Sequence, residues 1–447
     1  MIHHLRNRRI ALLGLGVENH ALARFFQAHH IPFSVCDSRD LSTPLEGVSE
    51  WRLGDDYLED LTDFDLLFRT PGLPVLNPNI ITARHQGVEI SSQTRIFLQL
   101  CPAPVLGITG TKGKGTTTVL TRTLLATDTS TRIFSGGNIG RPPIEFIDQL
   151  QPDDRVVLEL SSFQLQDLDQ SPELALILSI TQDHLDYHAD RAEYIAAKKT
   201  IATHQTSDNI LIVNQDCPIA QSFAAESPAT IWAFSATTPV VQGAWIAAGQ
   251  LWARRLGEQA TAICPLTDIP LRGRHNWANA AAAVAAGLAF GAEETPFAAA
   301  IRSFKSLPHR LEHIAERDGI AYYNDSLATT VDAAIAAIES FDQPLLLIAG
   351  GASKNAEFSA LSTAIARNNV RAALLIGQEA PHIAAALQQV GSGEIAHICQ
   401  DLPSALATAR RLAKVGDVVL LSPACASFGE FKSYEERGDC FRQLVTA

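Results

Sequence analysis

The residues best suited to chemistry lie in Gly110-Thr111-Lys112-Gly113-Lys114-Gly115-Thr116-Thr117. Glycines at this density let backbone N–H groups converge on an anion, and Lys114 adds a cation that reaches the outer phosphates of a nucleotide. Thr116 or Thr117 offers a hydroxyl to Mg²⁺. The spacing departs from the common phosphate loop. Only Thr111 and Lys112 separate Gly110 from Gly113-Lys114, and Gly115 stands where Ser or Thr usually follows the lysine. The metal hydroxyl is therefore expected from Thr116.

Other candidates follow downstream. Glu159 closes the apolar run Val156-Val157-Leu158, where a strand of the same sheet would present an acid to Mg²⁺. Asp183 and His184 follow another apolar run, Ala175 to Ile180, and read either as metal or phosphate partners or as part of a His-rich surface loop. Lys198, seen by itself, is a solvated helix lysine. Asn276 and Asn279 lie one turn apart at the start of an alanine-rich helix. Their amides can reach a purine edge, or Asn276 can serve as the helix N-cap.

These groups need a scaffold of strands, tight turns and helices. Val105 to Thr109 reads as a buried strand, the glycine turn follows, and Val119, Leu120 and Leu124 mark the apolar side of a helix. An earlier unit has the same plan. A strand at Arg9–Leu13 leads to Gly14-Leu15-Gly16, then to a helix bearing Ala21, Leu22, Phe25 and Phe26, then to a strand ending in Asp37. This is the layout of half a dinucleotide fold, although Asn19 replaces the third glycine, and a diphosphate joined to a ribose suits the turn as well as NAD. Asp65–Thr70 adds a strand closed by Pro71-Gly72. Cys101-Pro102-Ala103-Pro104 reads as a linker, and residues 229–266 as an irregular β excursion around Trp232, Trp245 and Trp252. A third α/β region begins near Phe304. It has apolar runs at 321–323, 345–349, 372–376 and 418–421, each ending in a polar or glycine-rich turn. The fold class is α/β with three domains, bounded at 1–101, 102–303 and 304–447.

Composition narrows the function. At 447 residues the chain exceeds one ordinary domain, and 46% hydrophobic residues are enough for several cores. A net charge of −13 argues against nucleic acid as the main partner. Seven dispersed cysteines without a C-x-x-C pair read as reduced thiols of a cytosolic protein. The N-terminus lacks the apolar core of a signal peptide, and no run is long enough to span a bilayer. A cytoplasmic protein without membrane contact is expected.

Taken together, these stretches resemble the Mur ligases of peptidoglycan synthesis along nearly the whole chain. The markers are Gly110–Lys114, Gly136-Gly137-Asn138-Ile139-Gly140, Glu159–Gln164, Asp183-His184, Tyr194 with Lys198, His275-Asn276 with Asn279, Leu307-Pro308-His309-Arg310, Asn324-Asp325-Ser326, and Ser422–Ser427 followed by Arg437-Gly438. The resemblance implies an N-terminal Rossmann-like uridine-binding domain, a central P-loop ATPase domain and a C-terminal Rossmann-like domain that receives glutamate. It implies ATP-dependent addition of glutamate to UDP-N-acetylmuramoyl-L-alanine through an acyl phosphate, by a monomer. Gly110, Thr111, Lys112, Gly113, Lys114, Gly115, Thr116, Thr117, Asn276, Asn279, Arg310 and Asp325 would bind ATP. Thr116 and Glu159 would serve one Mg²⁺, and His184 with a carbamylated Lys198 a second. Gly14, Leu15, Asp37, Ser38, Arg39, Pro71, Gly72 and Asn138 would hold the UDP substrate. Thr329, Lys354, Ser427 and Tyr434 would surround the glutamate.

Departures from the family pattern cluster around that last pocket. Leu327 replaces a usual Lys, Thr330 a common Asn, the stretch Gly351–Lys354 lacks an aspartate, and Phe428-Gly429 are atypical. D-glutamate is the default donor and L-glutamate the alternative. A folylpolyglutamate synthase-like ligase shares the Gly-Lys-Gly turn, but it lacks an N-terminal uridine domain such as the segment from Gly14 to Asp37 would form.

Overall fold

The computed structural model describes residues 2–41, 45–181, 187–352 and 356–447. The chain forms two compact units, one from residues 1–268 and 278–302, the other from 269–277 and 303–447. The helix Arg274–Ala289 runs across this division.

The first unit holds two sheets. β1 (Ile10–Leu13), β2 (Phe33–Asp37), β3 (Val48–Leu53), β4 (Leu66–Arg69) and β5 (Glu89–Ser91) are parallel, in the order β3-β2-β1-β4-β5. β1, β2 and β4 are buried on both faces, which is why β1 and the first three residues of β4 read as unbroken apolar runs. The helix Val17–Ala28 buries the expected Ala21, Leu22, Phe25 and Phe26. Phe26 packs 5.8 Å from Phe33 and 5.4 Å from Phe68, ring centre to ring centre. Strand order reverses at β1, so a crevice opens at the carboxyl ends there. The turn at Gly14, the acid Asp37 and the loop Pro71-Gly72 all lie at strand ends of that edge.

The second sheet comprises β6 (Val105–Thr109), β7 (Ile133–Gly137), β8 (Arg155–Glu159), β9 (Leu174–Ile177), β10 (Ile210–Asn214), β11 (Thr230–Ser235), β12 (Gly243–Ala247), β13 (Gln250–Arg254) and β14 (Thr261–Pro265). Its order is β14-β13-β12-β11-β10-β9-β6-β8-β7. The expected irregular excursion at 229–266 is in fact an ordered extension of this sheet. β11 joins β10 in parallel, and β12–β14 continue as an antiparallel meander. Its hairpin turn is Ala248-Gly249, with φ of +50° and +71°. Two successive left-handed residues make the twist-matched two-residue turn, and an alanine in the first position hides the usual Asn-Gly signal. Trp245 and Trp252 are cross-strand partners, stacked 6.5 Å apart.

The expected linker is also bound into this unit. The Pro104 carbonyl accepts from Val156 N–H at 3.1 Å, and Val105 N–H donates to the Glu173 carboxylate at 2.9 Å.

The second unit carries β15 (Glu312–Arg317), β16 (Ile320–Asn324), β17 (Leu345–Gly350), β18 (Val370–Ile376), β19 (Ala396–Ile398) and β20 (Val418–Leu421), ordered β15-β16-β20-β17-β18-β19. β15 and β16 pair antiparallel, and the other neighbours in this order pair in parallel. Leu345, Leu347, Leu375 and Leu420 fill the core on one face, and Leu346, Ile348, Leu374 and Leu421 fill it on the other. The seven cysteines are all unpaired thiols. Among the described residues no helix is long and apolar enough to cross a membrane.

Candidate active site

β6 sits between β8 and β9, so its carboxyl end points into the middle of a parallel sheet edge. Gly110 to Gly113 turn there, and the helix Lys114–Leu125 begins with Gly113 as its cap. Thr111 N–H donates to the Ser179 carbonyl at 2.8 Å, which ties the turn to the segment after β9. The Lys114 ammonium lies folded over its own turn, 3.1 Å from the carbonyls of Gly110 and Thr111. Lys112 is exposed, whereas Gly115, Thr116 and Thr117 are buried in the first helical turn. Thr117 Oγ1 is shut off from solvent and has no hydrogen-bond partner among the described residues.

Glu159 ends β8 beside this turn and is buried. Asn138 anchors it twice, through its N–H to the Glu159 carbonyl at 2.9 Å and through Nδ2 to Oε1 at 2.7 Å. Asn138, expected at the UDP substrate, thus also orients the carboxylate expected at Mg²⁺. Hard oxygen donors such as Glu159 and Thr116 suit Mg²⁺. Lys198 is not a solvated helix lysine. It is among the most buried side chains, with Nζ 3.0 Å from the Gly110 carbonyl and 4.8 Å from the centre of the Tyr194 ring. Tyr194 OH in turn lies 2.9 Å from Thr111 Oγ1. Asp183 and His184 lie outside the described residues.

Asn279 packs directly on the turn, close enough that a β-carbon at Gly113 would come within 2.3 Å of its Oδ1. Asn276 belongs to the other unit and is the third residue of its helix rather than the cap. Its Nδ2 donates to the Arg272 carbonyl at 2.7 Å.

At the first sheet, the Asp37 carboxylate accepts from Leu15 N–H at 2.6 Å and from Arg39 through both Nε, at 2.9 Å, and Nη2, at 2.8 Å. The Arg39 guanidinium holds Asp37 at about 2, well below the usual carboxylate range. Ser38 and Arg39 are exposed. Asn19 is buried where the dinucleotide pattern has its third glycine. Its Nδ2 donates to the carbonyls of Leu13, Gly14 and Phe68, at 3.2, 2.8 and 3.1 Å. An amide therefore fastens the turn to β1 and β4.

Sequence reasoning missed two other groups here. Arg69, buried at the end of β4, pairs with Asp167 at 2.5 Å, donates to the Phe163 carbonyl and Tyr187 hydroxyl, and grips the carbonyls of Pro71 and Leu73. An arginine inside an apolar strand was the available signal, since such a charge is buried only with a partner. The other is Ser162–His188–Glu193, joined at 2.8 and 2.5 Å, which links the segment after Glu159 to the helix bearing Lys198.

In the second unit, Asp325 follows β16. Leu311 N–H reaches its Oδ1 at 3.0 Å and Ser422 Oγ its Oδ2 at 2.9 Å. Burial pushes its carboxyl up to about 7, against the pull of those two donors and of Arg310. Two of the residues expected around glutamate line separate cavities that share Ala352. Thr329 lines a cavity of about 240 Å³ with Asp332, Phe358 and Glu379, and Ser427 lines one of about 230 Å³ with Phe428 and Glu430. Tyr434 opens the last helix, with its ring 6.0 Å from that of His309. Lys354 lies outside the described residues.

Comparison with known proteins agrees with this architecture. The Mur ligase MurD-like N-terminal domain model matches residues 8–92, the Mur ligase middle domain 108–287, and the Mur ligase, glutamate ligase domain 309–425. The UDP-N-acetylmuramoylalanine–D-glutamate ligase of Acetivibrio thermocellus is 37% identical, over 99% of this chain and 97% of its own. The Symbiobacterium thermophilum protein of that name is 39% identical, over 98% of both chains. Among solved structures, the UDP-N-acetylmuramate–alanine ligase MurC of Thermotoga maritima superposes with a TM-score of 0.61. It covers 98% of this chain and 99% of its own at 17% identity, a likeness of fold. With three family models in order and full-length identity of this degree, the chain belongs to the Mur ligase family.

Proposed function

We propose that this protein joins D-glutamate to UDP-N-acetylmuramoyl-L-alanine at the expense of ATP, in the cytoplasm, as a monomer without nucleic-acid or membrane partners. The reading rests on the turn Gly110–Lys114 at the carboxyl end of β6, with Glu159 ending the adjacent strand β8. The two bacterial relatives, both UDP-N-acetylmuramoylalanine–D-glutamate ligases, support the donor and acceptor. Domain boundaries are placed at 101/102 and 303/304.

In this reading Gly110, Thr111, Lys112, Gly113, Lys114, Gly115, Thr116 and Thr117 receive the ATP phosphates. Asn276, Asn279, Arg310 and Asp325 are assigned to the rest of the nucleotide. Gly14, Leu15, Asp37, Ser38, Arg39, Pro71, Gly72 and Asn138 take the UDP substrate, and Thr329, Lys354, Ser427 and Tyr434 the amino acid. Thr116 and Glu159 would hold one Mg²⁺, His184 and a carbamylated Lys198 the other. When bound, Mg²⁺ neutralises charge on the phosphate oxygens.

The residues then divide the work. Lys114 leaves the carbonyls of Gly110 and Thr111 to lie along the outer phosphates, so that a carboxylate can approach the γ-phosphorus. That carboxylate displaces ADP and becomes an acyl phosphate. The amine of glutamate attacks the acyl carbon, the tetrahedral adduct loses phosphate, and an amide forms. Asn138 keeps the Glu159 carboxylate oriented throughout. Positioning and charge screening are the main tasks in such phosphoryl transfer.

An amine-donor assay tests the assignment. With UDP-N-acetylmuramoyl-L-alanine, ATP and Mg²⁺ present, phosphate release should depend on D-glutamate. Release with L-glutamate alone would replace the donor, and release without the UDP substrate would refute the ligase reading.

A further inference from the structure

Glu18 is the second residue of the helix Val17–Ala28 and follows directly on the turn Gly14-Leu15-Gly16. Gly14 N–H is given to the Cys36 carbonyl and Leu15 N–H to Asp37, so it is the helix start after Gly16 that favours an anion here, and a carboxylate on the first helical turn competes for the same positive end. Glu18 does not turn to water. Its Oε1 accepts from Gln164 Nε2 at 2.6 Å, and its Oε2 is shut off from solvent with no hydrogen-bond partner among the described residues.

The direction of the first bond is set by its surroundings. Gln164 Oε1 is held by Ser161 N–H at 2.9 Å and Ser161 Oγ at 3.1 Å, in a capping box. The amide nitrogen is therefore the group that faces Glu18. Through it, the turn of the first sheet is tied to the segment that follows Glu159.

Other charges nearby are already engaged. Arg69, on β4, is committed to Asp167, and Tyr187 donates to the Leu73 carbonyl while accepting from Arg69. Asp167, in the segment after Gln164, repels a second carboxylate. Asp37 and Arg39 satisfy one another, and His20, further along the same helix, faces Arg24, Arg39 and Asp37. Burial is the largest influence on Glu18 and pushes its carboxyl up to about 7, outweighing the pull of Gln164 and Arg69.

We propose that Glu18 is a positioning residue that must carry a proton when the substrate's diphosphate seats on the Gly14–Gly16 turn, so that binding the UDP substrate takes up a proton from solvent. The proton forms an O–H bond on the Glu18 carboxylate and removes a negative charge from beside two phosphates in a poorly screened seam. The neutral carboxyl keeps its bond from Gln164, so the tie between the two sheets survives. The inference rests on the diphosphate site proposed above.

Titration calorimetry with UDP-N-acetylmuramoyl-L-alanine in buffers of different ionisation enthalpy tests it. That diphosphate is esterified at both ends and does not itself titrate near neutrality. Near pH 8 the free Glu18 is mostly ionised, so uptake should approach about 0.9 proton per substrate. Near pH 6 it should fall to about 0.1. Affinity should weaken up to about tenfold per pH unit above 7, and Glu18→Gln should bind with a flat profile and no uptake. Binding without proton uptake in the unchanged protein overturns the inference while sparing the site, and needs no variant to fold. Uptake that persists in Glu18→Gln belongs to His20 and also overturns it. No binding at all refutes the diphosphate site, and the inference with it.

Discussion

Gly113 and Asn279 meet so closely that a methyl group on the glycine would stand 2.3 Å from the asparagine Oδ1. Gly113 also sits at φ +87°, in the left-handed region that side chains rarely adopt. Two independent constraints thus require glycine at the cap of the phosphate-turn helix. Gly113→Ala should cost about 2 kcal/mol in denaturant unfolding, through strain and the displaced amide. ATP binding, read by calorimetry, should weaken at least tenfold. Unchanged stability and affinity would show that the turn tolerates a different path.

Asn19 offers a reverse test, since restoring the dinucleotide pattern should harm this protein. Asn19→Gly removes the donor shared by the carbonyls of Leu13, Gly14 and Phe68. Leaving buried carbonyls unpaired, with a hole beside them, should cost about 2–4 kcal/mol. Urea midpoints measure it, and a stabilised variant would disprove the brace.

Arg69 and Asp167 are both buried, and their side chains touch at 2.5 Å. Asp167→Ala would strand a buried guanidinium, a change expected to cost about 3–5 kcal/mol. The UDP substrate should also lose affinity, because Arg69 grips the carbonyls of the Pro71-Gly72 loop. Asp167→Ala with wild-type stability would mean that the carbonyl bonds alone suffice.

Glu18 should also leave a mark on stability. Its carboxyl stands near 7 in the folded chain, against an ordinary value of 4.5. The folded state holds a proton that the unfolded chain releases, so this contribution is fully present below 4.5 and lost as pH rises through 7. Glu18→Gln should unfold like the parent at pH 4. At pH 8 it should be more stable by about 3 kcal/mol, compared by chemical denaturation. A gap that opens instead on acidification would reverse the sign and the account.

Lys198 is buried, with Nζ on the Gly110 carbonyl. Lys198→Ala should lower turnover by about 10²–10³-fold, with recovery by small carboxylic acids that occupy the freed space as a carbamate would. Full activity without added bicarbonate or acid would remove the carbamate from the reading.

Much of the scaffold was legible because parallel strands buried on both faces leave unbroken apolar runs, as Val105–Thr109 and Leu345–Gly350 do. The meander β12–β14 was not, because its turn uses Ala248-Gly249 and its strands alternate with small alanines. At the site, glycine and lysine spacing pointed to the turn, since backbone geometry restricts which residues fit there. Partners distant in sequence left little trace. Glu18 meets Gln164, and Asn138 meets Glu159, only after the strands are ordered. Lys198 read as a solvated helix lysine because one helical position says nothing of what packs on it.

The central claim is that ATP makes the substrate carboxylate electrophilic. UDP-N-acetylmuramoyl-L-alanine labelled with ¹⁸O in its carboxylate tests this most directly, through mass spectrometry of the phosphate released with D-glutamate, ATP and Mg²⁺. One labelled oxygen in each phosphate is the predicted result, since the carboxylate oxygen departs with the γ-phosphoryl group. Product formed with unlabelled phosphate would contradict the acyl phosphate and the account built on it.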